Sequence, residues 1–251
     1  MQGFTNGKIL ITGAASGIGA ATATLLASSG ARKLILCDRD ENRLADFAFT
    51  LPCERQLMVG DVTDEQMWAN ADLTGLTHAV VNAGIGEGKP ILETTLADWR
   101  RVMSVNLDGA FLTLQAAMRA MHGNGGAIVL TASVAGIKAE AGIAAYAASK
   151  AGVIQLARVA AKEGAPSRIR VNAIAPGGVE TPIWTNVPFF TDLVNSTGSE
   201  EAAFEAISAA ATPLARFAKP EEMAEQIAFL LSDASAFTTG SCLVSDGGYS
   251  L

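Results

Sequence analysis

The chain has 251 residues, of which 49% are hydrophobic and 17% charged, and its formal net charge is −7. This composition argues against disorder and can fill a large α/β core, while the acidic balance disfavours nucleic acid as a partner because it repels phosphate backbones. The cysteines Cys37, Cys53 and Cys242 lack the spacing of a disulfide framework or metal site, and the absence of a leader or long apolar run predicts no membrane contact and a cytoplasmic location.

Short apolar runs alternate along the chain with segments of helical periodicity. Strands are predicted at 8–12, 33–37, 56–59, 79–82, 127–131, 170–174 and 242–244. Helices are predicted at 17–29, 97–121, 144–165 and 220–231, with short and weak helical patterns at 40–51 and 64–76. The alternation predicts an α/β doubly wound Rossmann fold, with helices on both faces of a parallel sheet. We expect one domain over 1–251, with cofactor-binding and catalytic residues mainly in 1–175.

The alternation of predicted strands and helices is interrupted in the segment 176–213, which contains four prolines and a Gly177-Gly178 pair. It also carries the apolar residues Ile183, Trp184, Phe189 and Phe190. Long loops in compact domains are usually functional, so we favour a substrate-covering lobe. The other interpretation is that these apolar residues only cover the core.

The first strand leads into a glycine-rich turn with Gly13, Gly17 and Gly19, and a helix follows at once. Glycines let a pyrophosphate approach the backbone, and a helix start supplies N–H donors, here near Ser16 and Ile18. The spacing differs from the common G-x-G-x-x-G pattern, so tight turns and close helix packing are the competing explanation.

The second strand ends at Asp38. A carboxylate there can accept hydrogen bonds from both hydroxyls of an adenosine ribose and repels a 2′-phosphate, which favours NAD over NADP. Ser16 offers no cation to a 2′-phosphate, whereas Arg39 could supply one. The competing interpretation of Asp38 is a solvated loop acid.

Tyr146 and Lys150 are four residues apart in a predicted helix and therefore share one face. A nearby ammonium favours the phenolate, which lets the pair act as a general base in alcohol oxidation or an acid in carbonyl reduction. Ser133 follows a strand, where its hydroxyl can donate to a carbonyl oxygen as charge develops on it. Asn106 lies inside a predicted helix, which indicates either a packing role or a water-binding role.

Together these features resemble the short-chain dehydrogenase/reductase family. The glycine loop at 12–19, Asn82-Ala83-Gly84, Asn106, Ser133, Tyr146 with Lys150, and Pro176-Gly177 follow the family's order. The resemblance covers essentially the whole chain and implies a seven-stranded parallel sheet in the order 3-2-1-4-5-6-7.

The resemblance implies a catalytic tetrad. Tyr146 exchanges the proton, Ser133 orients the substrate oxygen, and Lys150 holds the nicotinamide ribose and lowers the tyrosine pKa. Asn106 holds a water that links Lys150 to solvent.

The resemblance also implies further cofactor contacts and an assembly. Asp61 and Val62 would bind the adenine, and Asn82, Ala83 and Gly84 would form a wall of the cofactor cleft. The residues that would contact the nicotinamide and its carboxamide are Pro176, Gly177, Val179 and Thr181. The implied assembly is a homotetramer, with a dimer as the alternative, through the helices 97–121 and 144–165 and the C-terminal segment.

The favoured function is NAD-dependent interconversion of a small secondary alcohol and its ketone. The expected substrate pocket comprises Ser133, Ile137, Ile143, Tyr146, Trp184, Phe189 and Phe190. One alternative is a 3-oxoacyl-[acyl-carrier-protein] reductase, for which Arg119, Arg168 and Arg170 would form a basic docking patch. A second is a dinucleotide-binding regulator without turnover. The sequence does not name the substrate, its handedness or the direction of reaction.

Overall fold

The computed structural model describes residues 4–251. Its strands are β1 (Lys8–Thr12), β2 (Lys33–Asp38), β3 (Glu54–Val59), β4 (His78–Val81), β5 (Gly126–Thr131), β6 (Ile169–Pro176) and β7 (Cys242–Ser245). Its α-helices are α1 (Gly17–Ser28), α2 (Glu41–Phe49), α3 (Glu65–Asn70), α4 (Leu96–Met103), α5 (Gly109–Met121), α6 (Ala144–Gly164), α7 (Pro188–Thr197), α8 (Glu200–Ala211) and α9 (Pro220–Leu231).

The strands form one seven-stranded sheet in the order β3-β2-β1-β4-β5-β6-β7. All neighbouring strands pair in parallel, for example Ile9 with Leu34 of β2 and with His78 of β4. The predicted fold class and strand order are therefore confirmed. The single-domain organisation stays a prediction.

Alternate residues of each central strand enter cores on opposite faces of the sheet. In β1, Ile9 and Ile11 pack in the cluster that includes α1, α2 and α9, whereas Leu10 packs in the cluster that includes α3, α5 and α6. Both faces are buried because crossover helices cover a parallel sheet on each side. This explains why the strands appear in the sequence as continuous apolar runs.

The two weak helical patterns both form helices. Asp40 caps α2 by accepting a hydrogen bond from the backbone N–H of Arg43 at 3.1 Å. The other helix, α3, is only six residues long, in agreement with the short pattern at 64–76.

The prediction of a single helix over 97–121 is wrong in one respect, because the α-helix is interrupted. A π-helical turn at Ser104–Asp108 separates α4 from α5. A π turn inserts residues without ending the helix, so the apolar pattern on each side still indicates one helix. The turn carries Asn106, whose side chain is almost fully buried.

The segment 176–213 is not an irregular loop. It contains α7 and α8, and their residues Phe190 and Phe204 pack with Phe217, which follows the segment, in a small separate core. The chain that enters the lobe lies beside the chain that leaves it, because Val179 pairs with Ala218 in a parallel bridge. Helices were not predicted there because the prolines suggested turns, yet proline suits the first turn of a helix and α7 begins with one.

None of the helices within residues 4–251 combines the length and apolar character that crossing a membrane requires.

Arg170 ties β6 to the carboxyl end of α9. Its guanidinium donates to the carbonyl oxygens of Leu230, Leu231 and Ser232 at 2.8, 2.9 and 3.0 Å. These carbonyls lack partners within the helix, and the positive charge favours their end of the helix dipole. The hydrogen-bond donors of Arg170 are therefore used within the fold. This removes one of the three arginines from the predicted basic docking patch.

We expect Arg170→Met to lower the free energy of unfolding by about 3 kcal/mol, because several carbonyl groups lose a charged donor. Urea denaturation of the purified protein measures this change. Arg158→Met is the matched control: the hydrogen bond from Arg158 goes only to Gln155 at 3.5 Å on the surface, so it should cost less than about 0.5 kcal/mol. Equal stabilities of the two variants would contradict the capping role.

Candidate active site

The glycine loop between β1 and α1 depends on close backbone packing. Gly13 and Gly17 have φ angles of +65° and +52°, a region that favours glycine. A Cβ atom at Gly19 would lie 2.0 Å from the carbonyl oxygen of Gly13, so any side chain there would force the helix away from the strand.

The start of α1 fits the phosphates of a dinucleotide. Ser16 precedes the helix, but its side chain makes no capping hydrogen bond. The first backbone N–H groups of a helix lack intrahelical acceptors, so those near Ile18 and Gly19 can donate to an anion.

Thr12 and Asn82 join the glycine loop to the end of β4. The Thr12 hydroxyl oxygen accepts from the backbone N–H groups of Asn82 and Ala83 at 2.9 and 3.1 Å. The Asn82 amide in turn donates to the Thr12 carbonyl at 3.1 Å. The predicted wall residues Asn82 and Ala83 therefore lie directly beside the glycine loop. Sequence reasoning did not assign Thr12 a role, since a buried threonine ending a strand carries no distinctive signal.

Asp38 also lies against the glycine loop. One carboxylate oxygen accepts from the backbone N–H of Ala15 at 3.0 Å and the other from that of Asp40 at 3.1 Å. Each oxygen keeps a lone pair for a further donor. The side chain of the neighbouring Arg39 is exposed.

The adenine-contact candidates sit at the end of β3. Asp61 is exposed, and its carboxylate accepts from the backbone N–H and the hydroxyl of Thr63 at 2.9 and 2.8 Å. Val62 is buried, and a Cβ at Gly109 would lie 2.6 Å from its Cγ2. The Val62 side chain therefore packs against α5, which leaves its backbone as the group that could face a base.

The structure brings the four predicted catalytic residues into one region. The Lys150 ammonium is buried and donates to the Thr131 carbonyl at 2.9 Å, and its Nζ lies 5.7 Å from the centroid of the Tyr146 ring. The Ser133 hydroxyl oxygen accepts from the backbone N–H of Ala135 at 3.2 Å. Its own O–H is therefore the donor that can serve the Tyr146 hydroxyl or a substrate oxygen.

Asn106 links the site to its surroundings through its amide. Its Oδ1 accepts from the backbone N–H of Ile85 at 2.8 Å, and its Nδ2 donates to the Ile85 carbonyl at 3.0 Å and to the Ser149 hydroxyl at 3.2 Å. Ser149 donates to the Tyr146 carbonyl at 2.7 Å. Asn106 therefore joins the loop after β4 to the helix that carries Tyr146. Its predicted hold on a water stays a prediction, and the role of Ser149 gave no sequence signal.

Burial controls the protonation of the catalytic pair. Desolvation lowers the pKa of Lys150 to about 8. Desolvation also raises the pKa of Tyr146, and a hydrogen bond with Ser133 acts in the opposite direction. The lowering of the tyrosine pKa by Lys150 thus stays a prediction for the complex with cofactor.

The end of β6 reaches across to the glycine loop. Pro176 is the last residue of β6, and Gly177 donates its backbone N–H to the Ser245 carbonyl at 2.9 Å. Val179 is buried, while Thr181 lies against Gly17. A Cβ atom at Gly17 would lie 3.1 Å from Thr181 Cγ2.

The predicted substrate-pocket residues divide into two groups. Ile137 and Phe189 are 52% and 53% exposed, and Ile143 is half-buried just before α6. Phe190 is instead buried in the core of the lobe, with its ring centroid 4.7 Å from that of Phe204, which agrees with the core-covering interpretation rather than with an apolar pocket beside Tyr146.

Trp184 packs in the same way. Its ring stacks on Phe217 with centroids 5.4 Å apart, and its indole N–H donates to the Val179 carbonyl at 2.9 Å. For Trp184 and Phe190, the interpretation as core-covering residues describes the structure better.

Comparison with known proteins places this geometry in a family. A family model described as Enoyl-(Acyl carrier protein) reductase matches residues 13–250. The chain is 43% identical over 259 residues to cis-4-hydroxycyclohexanecarboxylate dehydrogenase from Sinomonas cyclohexanicum, covering 99% of this chain and 98% of the relative. It is 35% identical over 257 residues to 2,5-dichloro-2,5-cyclohexadiene-1,4-diol dehydrogenase from Sphingobium indicum, covering 99% of each chain.

A solved structure has the same fold. L-sorbose reductase from Gluconobacter frateurii, complexed with NADPH and L-sorbose, aligns with a TM-score of 0.91 at 27% identity, covering 98% of this chain and 97% of the other.

The chain belongs to the short-chain dehydrogenase/reductase family. It is an oxidoreductase acting on a CH–OH group, and the fold implies a nicotinamide dinucleotide cofactor.

The buried lysine predicts a pH dependence of stability. The pKa of Lys150 is about 8 in the folded protein and about 10.4 in an unfolded chain. Between these values the unfolded state binds more protons, so stability relative to a variant without the lysine rises with pH.

We therefore expect the wild type to gain about 2 kcal/mol over Lys150→Met between pH 7.5 and 9.5, as measured by urea denaturation at both pH values. Lys162→Met, in the last turn of α6, is the control and should follow the wild type. Parallel pH curves for the wild type and Lys150→Met would show that the lysine is not desolvated.

Proposed function

We propose that the protein is an NAD(H)-dependent dehydrogenase that interconverts a small alicyclic secondary alcohol and its ketone. The observation that carries the proposal is the convergence of Tyr146, Lys150, Ser133 and Asn106 beside a glycine loop that ends at a free helix start. We also propose that it acts in the cytoplasm.

Tyr146 is the proton carrier in this proposal. In ketone reduction its hydroxyl donates a proton to the substrate oxygen, and in alcohol oxidation its phenolate removes one. The Ser133 O–H donates a hydrogen bond to the same oxygen as negative charge develops on it. The dinucleotide, when bound, supplies or accepts the hydride at its nicotinamide.

The residues present fit that dinucleotide. The N–H groups at the start of α1 and the bare backbone of Gly13, Gly17 and Gly19 suit the pyrophosphate. Lys150 uses one N–H on Thr131 and keeps two for ribose hydroxyls. Asp61 and Val62 would contact the adenine, and Gly84 with residues 176–181 would flank the nicotinamide.

Asp38 supports the preference for NAD. Its two oxygens have free lone pairs for the adenosine ribose hydroxyls, and its charge repels a 2′-phosphate. The NADPH in L-sorbose reductase belongs to that protein.

The substrate class rests on the relatives. Two relatives are named for the oxidation of a hydroxyl on a six-membered ring. The exposed Ile137, the exposed Phe189 and the half-buried Ile143 supply apolar surface for such a ring.

The carrier-protein alternative has weaker support. The description of the family model names that class of substrate. Arg170 is nonetheless occupied at the end of α9, and Arg168 donates to the Gly123 carbonyl at 3.3 Å. This alternative is tested by measuring the reduction of an acetoacetate thioester with NADPH, alongside the alcohols and ketones of the assay panel.

The proposed assembly is a homotetramer. Exposed apolar side chains lie on the helices that would form its interfaces: Leu96 on α4, Phe111 on α5 and Val159 on α6. Light scattering of the purified protein measures the mass of the assembly.

We expect Tyr146→Phe to lower kcat by about 10²- to 10⁴-fold with cyclohexanol and NAD, because the proton carrier is lost. NADH affinity, measured by fluorescence titration, should change less than twofold. Tyr249→Phe is the matched control, because it removes the hydroxyl of the only other tyrosine, which donates to Glu140. Retained turnover in Tyr146→Phe would exclude the mechanism, and a wild type without turnover on the panel would favour a binding protein.

We expect Asp38→Ala to reduce the preference for NADH over NADPH about tenfold, as measured by kcat/KM with each cofactor, because a carboxylate no longer opposes the 2′-phosphate. Asp46→Ala removes the same charge from exposed α2 and should leave the ratio unchanged. An unchanged ratio in Asp38→Ala would place the carboxylate away from the ribose.

A further inference from the structure

Three glycines alternate along the segment that follows β4, at Gly84, Gly86 and Gly88. We call residues 84–88 the glycine edge. Each of its glycines meets a different part of the site. A Cβ atom at Gly84 would lie 3.4 Å from Lys150 Nζ, one at Gly86 would lie 3.0 Å from Ile183 Cγ1, and one at Gly88 would lie 3.7 Å from Ile143 Cγ2.

The contact at Gly86 reaches the lobe. Thr181 touches Gly17 of the glycine loop, and Ile183 touches Gly86 two residues further along. Residues 181–183 follow β6 in the chain, whereas the glycines that they contact, Gly17 and Gly86, follow β1 and β4. Because β5 lies between β4 and β6 in the sheet, the chain between Pro176 and Thr181 must span the carboxyl end of β5, which Ser133 follows, and Ile183 lies on the far side of that end.

The glycine edge is firmly held on its other sides. Glu87 accepts from Arg101 of α4 at 2.6 Å, and Lys89 donates its backbone N–H to the Gly142 carbonyl. Asn106 holds Ile85 through two hydrogen bonds. A side chain added at residue 86 would therefore push Ile183 by a few tenths of an ångström rather than the edge, and with Ile183 the start of the lobe.

We infer that Gly86 and Ile183 together determine the size of the alcohol that the site accepts. The missing side chain at residue 86 lets Ile183 close over the approach to Ser133. Ile183 is β-branched, so its side chain has little rotational freedom with which to avoid a new methyl group. The inference rests on the proposed function.

Gly88 provides a matched control on the same segment. A Cβ there would lie 3.5 Å from the Gly142 carbonyl oxygen and 3.7 Å from Ile143 Cγ2, which are ordinary van der Waals distances. Gly88→Ala therefore adds the same methyl group without a collision, whereas Gly86→Ala places it 3.0 and 3.2 Å from two carbons of Ile183.

The kinetic experiment compares cyclohexanol with 4-tert-butylcyclohexanol as substrates, with NAD as cofactor. In Gly86→Ala the ratio of kcat/KM for the bulky alcohol to that for the small one should rise about five- to tenfold, because the lobe moves outward. Ile183→Ala should raise the ratio as well. Adding Gly86→Ala to Ile183→Ala should change nothing further, since the collision partner is absent. Gly88→Ala should keep the wild-type ratio.

Hydrogen exchange of peptides from residues 182–197 tests the contact without turnover. Exchange should rise in Gly86→Ala, stay at the wild-type rate in Gly88→Ala, and be the same in Ile183→Ala with and without Gly86→Ala. If the wild type oxidises no alcohol, the proposed function fails while exchange still reports the contact. Raised exchange with an unchanged kinetic ratio would overturn the specificity role, and unchanged exchange in Gly86→Ala would overturn the contact itself.

Discussion

The parallel direction of the strands is the constraint on which the rest of the molecule depends. Parallel strands need crossovers, and crossover helices bury both faces of the sheet. The carboxyl ends of all strands then lie at one edge, which is where chemistry-bearing loops must collect. The carboxyl ends of β1, β2, β4, β5 and β6, with the loops that follow them, carry the glycine turn, Asp38, the glycine edge, Ser133 and the lobe, so residues far apart in the chain become neighbours.

Burial gives these neighbours their chemical character. Lys150 donates to the Thr131 carbonyl beneath Gly84, and desolvation there lowers its pKa to about 8, within reach of physiological pH. The same burial raises the pKa of Tyr146. Desolvation thus opposes charge on both members of the pair, but a pKa of about 8 leaves Lys150 mostly protonated at neutral pH. The phenolate of Tyr146 is the form that needs stabilisation by neighbouring groups.

The lobe after β6 connects cofactor binding to substrate selection. Its core is separate from the two cores that flank the sheet, because Phe190 and Phe204 pack with Phe217 in a cluster of their own. Its first residues nevertheless touch the glycine loop through Thr181 and the glycine edge through Ile183. The position of the lobe is therefore set by contacts with backbone that lacks side chains, and one methyl group is enough to alter it.

The amino-acid pattern predicted the fold class, and the family resemblance implied the strand order. The candidate cofactor-binding and catalytic residues from Gly13 to Thr181 were also predicted at that level. Apolar periodicity is local, and a glycine loop or a Tyr-x-x-x-Lys pair keeps its spacing in any context. The π turn at Asn106, the helices of the lobe, the packing of Trp184 on the lobe's core, the burial of Phe190 and the contact of Gly86 with Ile183 emerged only in the folded chain. Each of these depends on which distant surface a side chain meets, and a one-dimensional pattern does not contain that information.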